Sequence, residues 1–155
     1  QPTNLYGPFD NFDLSSSHVL PALLHKAHEA KLANSSKLPV WGSGTPLREF
    51  LHVDDLADAL VFLAKNYSRD TFVNIGSGQE LSIADLARIV AETVGFAGDL
   101  EFDASKPDGT PRKLVDTSKL EALGWRASIQ LREGIADVYR WFLENGDLRL
   151  RSAAA

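Results

Sequence analysis

Between residues 41 and 55 the chain reads WGSGTPLREFLHVDD, and this run leaves few architectures open. Two glycines, a serine and a proline cannot sustain a helix or a ladder, so residues 42–46 read as a loop. The apolar stretch Glu49 to Val53 has the length of a strand. Asp54 and Asp55 directly after it suit the start of a helix, where a carboxylate caps free amides and complements the positive end. Loop, strand and helix in so short a run require an α/β layout. The loop also carries an indole, Trp41, and a fixed cation, Arg48. Together they can meet a planar, anionic ligand while the strand and helix hold them rigid.

The remaining pattern alternates helices with short strands. Residues 2–17 are rich in Pro, Asn, Asp, Gly and Ser and read as loop. Ser16 or Ser17 is expected to cap a helix reaching about Ala33, with Val19, Leu20, Leu23, Leu24 and Ala27 as its apolar stripe. Strands are expected at Leu38–Trp41, Thr71–Ile75 and Leu100–Phe102. Helices are expected from Asp54 to about Lys65, burying Leu56, Ala59, Leu60 and Leu63, and from Ser82, with Asp85 as capping partner, to a stop at Gly95. Residues 103–115 read as a polar loop. A short helix follows at Ser118–Leu123, then a last one from about Leu131 to Asn145, burying Ile135, Val138, Tyr139, Phe142 and Leu143. No repeat and no second core is evident. The chain reads as one domain over residues 1–146, with 147–155 as a disordered tail. Its start, Gln1 to Pro8, reads as the end of a strand entering a loop, as though cut from something longer.

Composition narrows the function classes. A formal net charge of −5 argues against general nucleic-acid binding, which rests on a basic footprint. No apolar run approaches the roughly 20 residues a membrane helix needs, and no signal peptide is evident. With no cysteine, there is neither a disulfide framework nor a thiolate metal site, which is compatible with the cytosol. The four histidines show no metal-ligand spacing. Cations gather locally at Lys106, Arg112 and Lys113, which suits a small anionic ligand on an acidic protein.

Several residues can carry chemistry. His18 sits at the mouth of the first helix, and imidazole is the natural proton carrier near neutral pH; a histidine that only packs there is the plainer alternative. Arg48 can form two parallel charge-assisted bonds to a diphosphate, or can spend itself on Glu49 or Asp54. Trp41 can stack on a base or sugar, or close a core. The segment KPDGTPRK at 106–113 is stiffened by two prolines, so clamping a ligand costs it less entropy; otherwise it is a solvated loop. Gly42-Ser43-Gly44 precedes a proline and a strand, and so fails the context of a dinucleotide fingerprint. Tyr6 has no lysine four residues on. His52 reads as a packing residue of the strand-to-helix junction.

Taken together, PTNLYGPFDNF at 2–12, the 41–55 block and KPDGTPRKLVD at 106–116 resemble the GDP-L-fucose synthases, extended short-chain dehydrogenase/reductases acting on nucleotide sugars. The resemblance covers Pro2 to about Asn145. It implies an α/β fold corresponding to the C-terminal, substrate-binding part of such an enzyme, the N-terminal Rossmann half being absent and residues 1–12 ending the junction to it. It implies NADPH-dependent 3,5-epimerisation and 4-keto reduction of GDP-4-keto-6-deoxy-D-mannose, in a cytoplasmic homodimer when full length. His18 is then the catalytic acid/base. Pro2, Thr3, Asn4, Leu5 and His18 lie against NADP, and Lys26, Trp41, Arg48, Lys106, Asp108, Arg112 and Lys113 hold the GDP-sugar. A different nucleotide-sugar epimerase/reductase, or a non-catalytic nucleotide-sugar-binding module, remains as an alternative.

Overall fold

The structure, a computed structural model, describes the backbone of residues 1–152 and the side chains up to Asn145. Helix α1 (Val19–Leu32) places Leu20, Leu23, Leu24 and Ala27 on one buried face, the spacing that one side of a helix repeats. Val19, expected on that stripe, is instead 37% exposed and faces a cleft. The cap also differs from expectation. His18, with an extended backbone, is the N-cap residue and its side chain caps nothing. The Ser16 and Ser17 amides donate instead to Asp13 O, folding the preceding segment into a turn.

Strand β1 (Asn4–Tyr6) pairs in parallel with β3 (Leu47–His52), Asn4 opposite Phe50 and Tyr6 opposite His52. Strand β2 (Lys37–Trp41) pairs in parallel with β5 (Asp99–Asp103) in a separate two-stranded sheet. At its N-terminal half β3 has two further neighbours: β4 (Glu80–Ser82), antiparallel, and β6 (Arg112–Lys113), parallel. Since both meet residues 47 and 48, they lie on opposite edges of β3. The expected polar loop at 103–115 is therefore interrupted, because Arg112 and Lys113 dock as a strand. Conversely, Thr71–Ile75 is no strand. Ile75 alone forms a β-bridge there, its amide donating to Gln1 O and its carbonyl accepting from Thr3 N, while the Val73 carbonyl accepts from the N-terminal amine of Gln1.

Helix α2 (Val53–Asn66) is capped by His52, whose Nδ1 accepts from the Asp54 amide, rather than by Asp54 or Asp55. Asp55 is buried and accepts from the Ser128 amide and hydroxyl and the Ile129 amide, tying α2 to a distant loop. Helix α3 (Ile83–Val94) has the expected ends. Ser82 Oγ accepts from the Asp85 amide, and Gly95 closes the helix at φ 76°, a conformation that favours glycine. A short α4 (Ser118–Ala122) leads to α5 (Leu131–Ser152), which runs past the expected end near Asn145. Residues 153–155 and the side chains from 146 onward lie outside the described residues, so of the expected tail at 147–155 only the helical backbone of 147–152 is described.

Two apolar cores form, where one was expected. The larger joins α1, α3 and α5 to the inner faces of β2 and β3, through residues such as Leu24, Leu38, Val90 and Ile135. The smaller gathers Leu51, Ala59, Val73, Ile75, Leu120 and Trp125. Strand β3 divides them, since its successive side chains point to opposite faces: Phe50 enters the first and Leu51 the second. Besides Val19, two further residues expected to be buried are exposed. Leu60 on α2 is 54% exposed and Leu143 on α5 is 56% exposed.

Candidate functional site

Two clefts open on the same side of β3 and share Val19 and Arg48. The larger, about 700 Å³, is lined by Thr3 and β1 on one side and bounded by His18, Arg48 and Lys113. The smaller, about 250 Å³, holds Lys26, Trp41, Arg48 and Asp108. Arg48 thus stands on the wall between them. Its Nη1 donates to Leu47 O at 2.8 Å, and the guanidinium makes no ion pair among the described residues. The two rivals for it are otherwise engaged. Glu49 is fully buried against backbone amides, and Asp54 lies 3.7 Å from His52.

The pairing of β6 with β3 explains which cations reach the clefts. Lys113 lies opposite Arg48, so both side chains project to one face, and both line the larger cleft. Arg112, one residue earlier, projects to the other face. There its Nε and Nη2 donate to the two carboxylate oxygens of Glu80, each at 2.7 Å. That contact holds the Glu80 carboxyl below its ordinary pKa and the Arg112 guanidinium above its own. The structure therefore separates Arg112 from the residues it was expected to join.

Trp41 is 59% exposed at the end of β2, so it closes no core. The Lys26 ammonium lies 4.6 Å from its ring centroid and that of Lys106 5.6 Å away, an aromatic face already flanked by cations. Burial draws the pKa of Lys26 below its ordinary value. Asp108 accepts from the Ser43 amide at 2.6 Å on one oxygen and from the Ser43 hydroxyl at 2.8 Å on the other. It thereby fastens the 106–113 segment onto the glycine loop. Gly42 (φ 83°) permits this, for a Cβ there would stand 2.3 Å from the Asp108 carboxylate.

His18 is exposed at the rim of the larger cleft, one residue before α1. Thr3, Asn4 and Leu5 line the same cleft; Pro2 lies outside its lining, bridged to Ile75. Phe9 was missed by the sequence reading. It lines the larger cleft with a left-handed backbone (φ 68°) and packs on Trp141 with ring centroids 4.9 Å apart. An apolar residue amid a polar, Pro/Asp-rich loop was the available signal. Glu49 was missed as well, although a carboxylate inside an apolar strand is itself a warning. Among the described residues, no group of three His, Asp or Glu side chains could hold a metal ion, and no helix is long and apolar enough to cross a membrane.

With this geometry in place, similarity to other proteins is informative. Residues 1–76 match the NAD dependent epimerase/dehydratase family. The chain is 58% identical over 144 residues to the probable GDP-L-fucose synthase 1 of Oryza sativa subsp. japonica, covering 93% of this chain and 44% of that protein. It is 60% identical over 144 residues to GDP-L-fucose synthase 1 of Arabidopsis thaliana, covering 93% and 45%. Among solved structures, a GDP-L-fucose synthetase from Naegleria fowleri bound to NADP superposes with a TM-score of 0.89 at 35% identity, covering 94% of this chain and 46% of that one. The chain spans less than half the length of the curated relatives it matches.

Proposed function

We propose that this chain, which matches the NAD dependent epimerase/dehydratase family over residues 1–76 and is similar over 93% of its length to GDP-L-fucose synthases, supplies the nucleotide-sugar site of such an enzyme. The reaction is conversion of GDP-4-keto-6-deoxy-D-mannose to GDP-L-fucose, by epimerisation at C3 and C5 and reduction of the C4 ketone. The observation that carries this reading is the pair of clefts joined at a guanidinium with no ion pair among the described residues.

Each part of the ligand finds chemistry that suits it. Trp41, exposed and flanked by Lys26 and Lys106, offers a face for guanine in the smaller cleft. Arg48, on the dividing wall, can fork onto the diphosphate, with Lys113 beside it on the next strand. The sugar then falls in the larger cleft, within reach of His18. The C4 ketone acidifies the hydrogens on C3 and C5, so a proton carrier is what the site needs there. His18 is the one imidazole lining that cleft among the described residues. Asp108, already accepting from Ser43, orders the clamp over the base; Arg112 contributes through β6, with its own fork on Glu80.

A nicotinamide cofactor, NADP in this reading, would supply the hydride for the C4 reduction. Thr3 to Leu5 and His18 fit its edge, since all four line the larger cleft, and Pro2 precedes them in the chain. The protein in its working form is taken to be a cytoplasmic homodimer.

The test begins with GDP titrated into the chain itself. It continues with NADPH oxidation on GDP-4-keto-6-deoxy-D-mannose, in a polypeptide carrying this sequence together with a dinucleotide-binding half. His18→Ala is expected to abolish exchange of the C3 and C5 hydrogens with solvent while GDP affinity stays within about twofold. Normal exchange in that variant would remove His18 from the mechanism. GDP binding without turnover in the unsubstituted protein would instead support a non-catalytic module.

A further inference from the structure

Beneath the clefts lies a carboxylate that the proposed mechanism does not use. Glu49, the residue after Arg48, is wholly buried in the middle of β3. Its Oε1 accepts from the Gly78 amide at 2.7 Å and its Oε2 from the Val115 amide at 3.1 Å. Its own carbonyl accepts from Asn4 Nδ2 at 2.7 Å and more weakly from the Thr3 hydroxyl at 3.4 Å. One residue therefore joins four stretches: β3, the β1 side of the larger cleft, the turn at 76–78, and the end of the segment bearing Lys113.

The fit around it is close. A Cβ on Gly76 would lie 2.3 Å from Glu49 Oε1 and 2.7 Å from Val115 Cγ2, so only glycine lets the turn reach the carboxylate. A buried carboxyl group is costly unless its oxygens accept hydrogen bonds, and two backbone amides on separate segments supply them here. The β4 and β6 ladders and the Arg112–Glu80 fork bring these segments, 29 and 66 residues from Glu49, to β3, and the Glu49 carboxylate ties both just beyond the ends of those short ladders.

We propose that Glu49 is a positioning residue for the diphosphate site: it fixes β6, and so Lys113, beside Arg48. This rests on the reading of the clefts as a GDP-sugar site. Glu49 touches no ligand. It acts by holding the two cations at one spacing, so its loss is felt as weaker anion binding rather than as failed proton transfer. Glutamine is the discriminating substitute. Its amide has one acceptor oxygen and turns an –NH₂ toward the second backbone amide, so one of the two segments must let go.

The experiment measures three things on the chain as it stands. The first is GDP affinity by calorimetry for the unsubstituted chain, Glu49→Gln, Glu49→Asp and Asp55→Asn. Asp55 is the comparison because it is the other buried carboxylate among the described residues that ties backbone amides, and the amides it ties, those of Ser128 and Ile129, line neither cleft. The second is the rate of tryptic cleavage after Arg112 and Lys113, followed by mass spectrometry. The third is hydrogen exchange at the Gly78 and Val115 amides of the unsubstituted chain. Glu49→Gln and Glu49→Asp should weaken GDP binding about tenfold and speed cleavage at 112–113, whereas Asp55→Asn should lower the melting temperature without weakening GDP binding. Equal GDP affinity in Glu49→Gln, or an equal loss in Asp55→Asn, would overturn the positioning role. Should neither Glu49 variant fold, slow exchange at both amides that slows further with GDP supports it, and exchange at the rate of an open loop overturns it. If the unsubstituted chain fails to bind GDP, the functional reading falls by itself; unchanged cleavage in Glu49→Gln then rejects the clamp separately.

Discussion

Arg48 and Lys113 show how much a single position can decide. A guanidinium can present two parallel donors to a diphosphate, and an ammonium cannot. Arg48→Lys is therefore expected to weaken GDP binding about tenfold by calorimetry with no change in melting temperature. His28 bears on stability instead. Burial, then the neighbouring His25 and Lys31, pull its pKa below the ordinary 6.5. The unfolded chain thus takes up a proton at a higher pH than the folded one, and the contribution is complete above 6.5 and lost as pH falls below it. Melting temperatures between pH 7 and 5 should fall more steeply for the unsubstituted chain than for His28→Gln. Residue identity was the most legible scale in the sequence: His18, Lys26, Trp41 and Arg48 all fall on the two clefts. Arg112 falls outside the lining of both clefts because its direction depends on the alternation of a strand that only tertiary pairing creates.

At the scale of elements, legibility followed locality. The α3 ends were readable because Ser82, Asp85 and Gly95 lie within the helix or beside it. The starts of α1 and α2 were not, since acceptable capping residues outnumbered the caps and packing chose among them. At α2, Asp55 was drawn off to Ser128 and Ile129, leaving His52 to meet the Asp54 amide. Asp55→Ala should accordingly destabilise the fold by about 2–3 kcal/mol, from the orphaned amides, in a denaturant titration. The glycine loop gives a second case. Gly44 has φ 78°, and a Cβ there would meet the Phe102 ring at 2.4 Å. Gly44→Ala combines left-handed strain with overpacking and should cost about 2 kcal/mol in the same titration.

For the molecule as a whole, an α/β layout was legible, but its division into two cores was not. Periodicity identifies which residues are buried; it does not say against which partners, and β3 feeds both cores through alternate side chains. The same limit explains Leu60, which fits the apolar repeat of α2 yet stands 54% exposed beside Val61 at 53%. Exposed apolar area of this kind promotes association. Leu60→Gln with Val61→Thr should shift stability by less than about 1 kcal/mol while raising the onset temperature of light scattering on heating.

The exposure of Trp41 has an optical consequence. Of the three tryptophans, Trp125 is buried with its indole donating to Asp58, and Trp141 is packed between Phe9 and Phe12. Only Trp41 stands largely open to solvent, at the mouth of the smaller cleft. A neutral collisional quencher such as acrylamide should therefore extinguish mainly the emission of Trp41. A base settling on that ring would shield it, so the chain carries its own fluorescent gauge of occupancy.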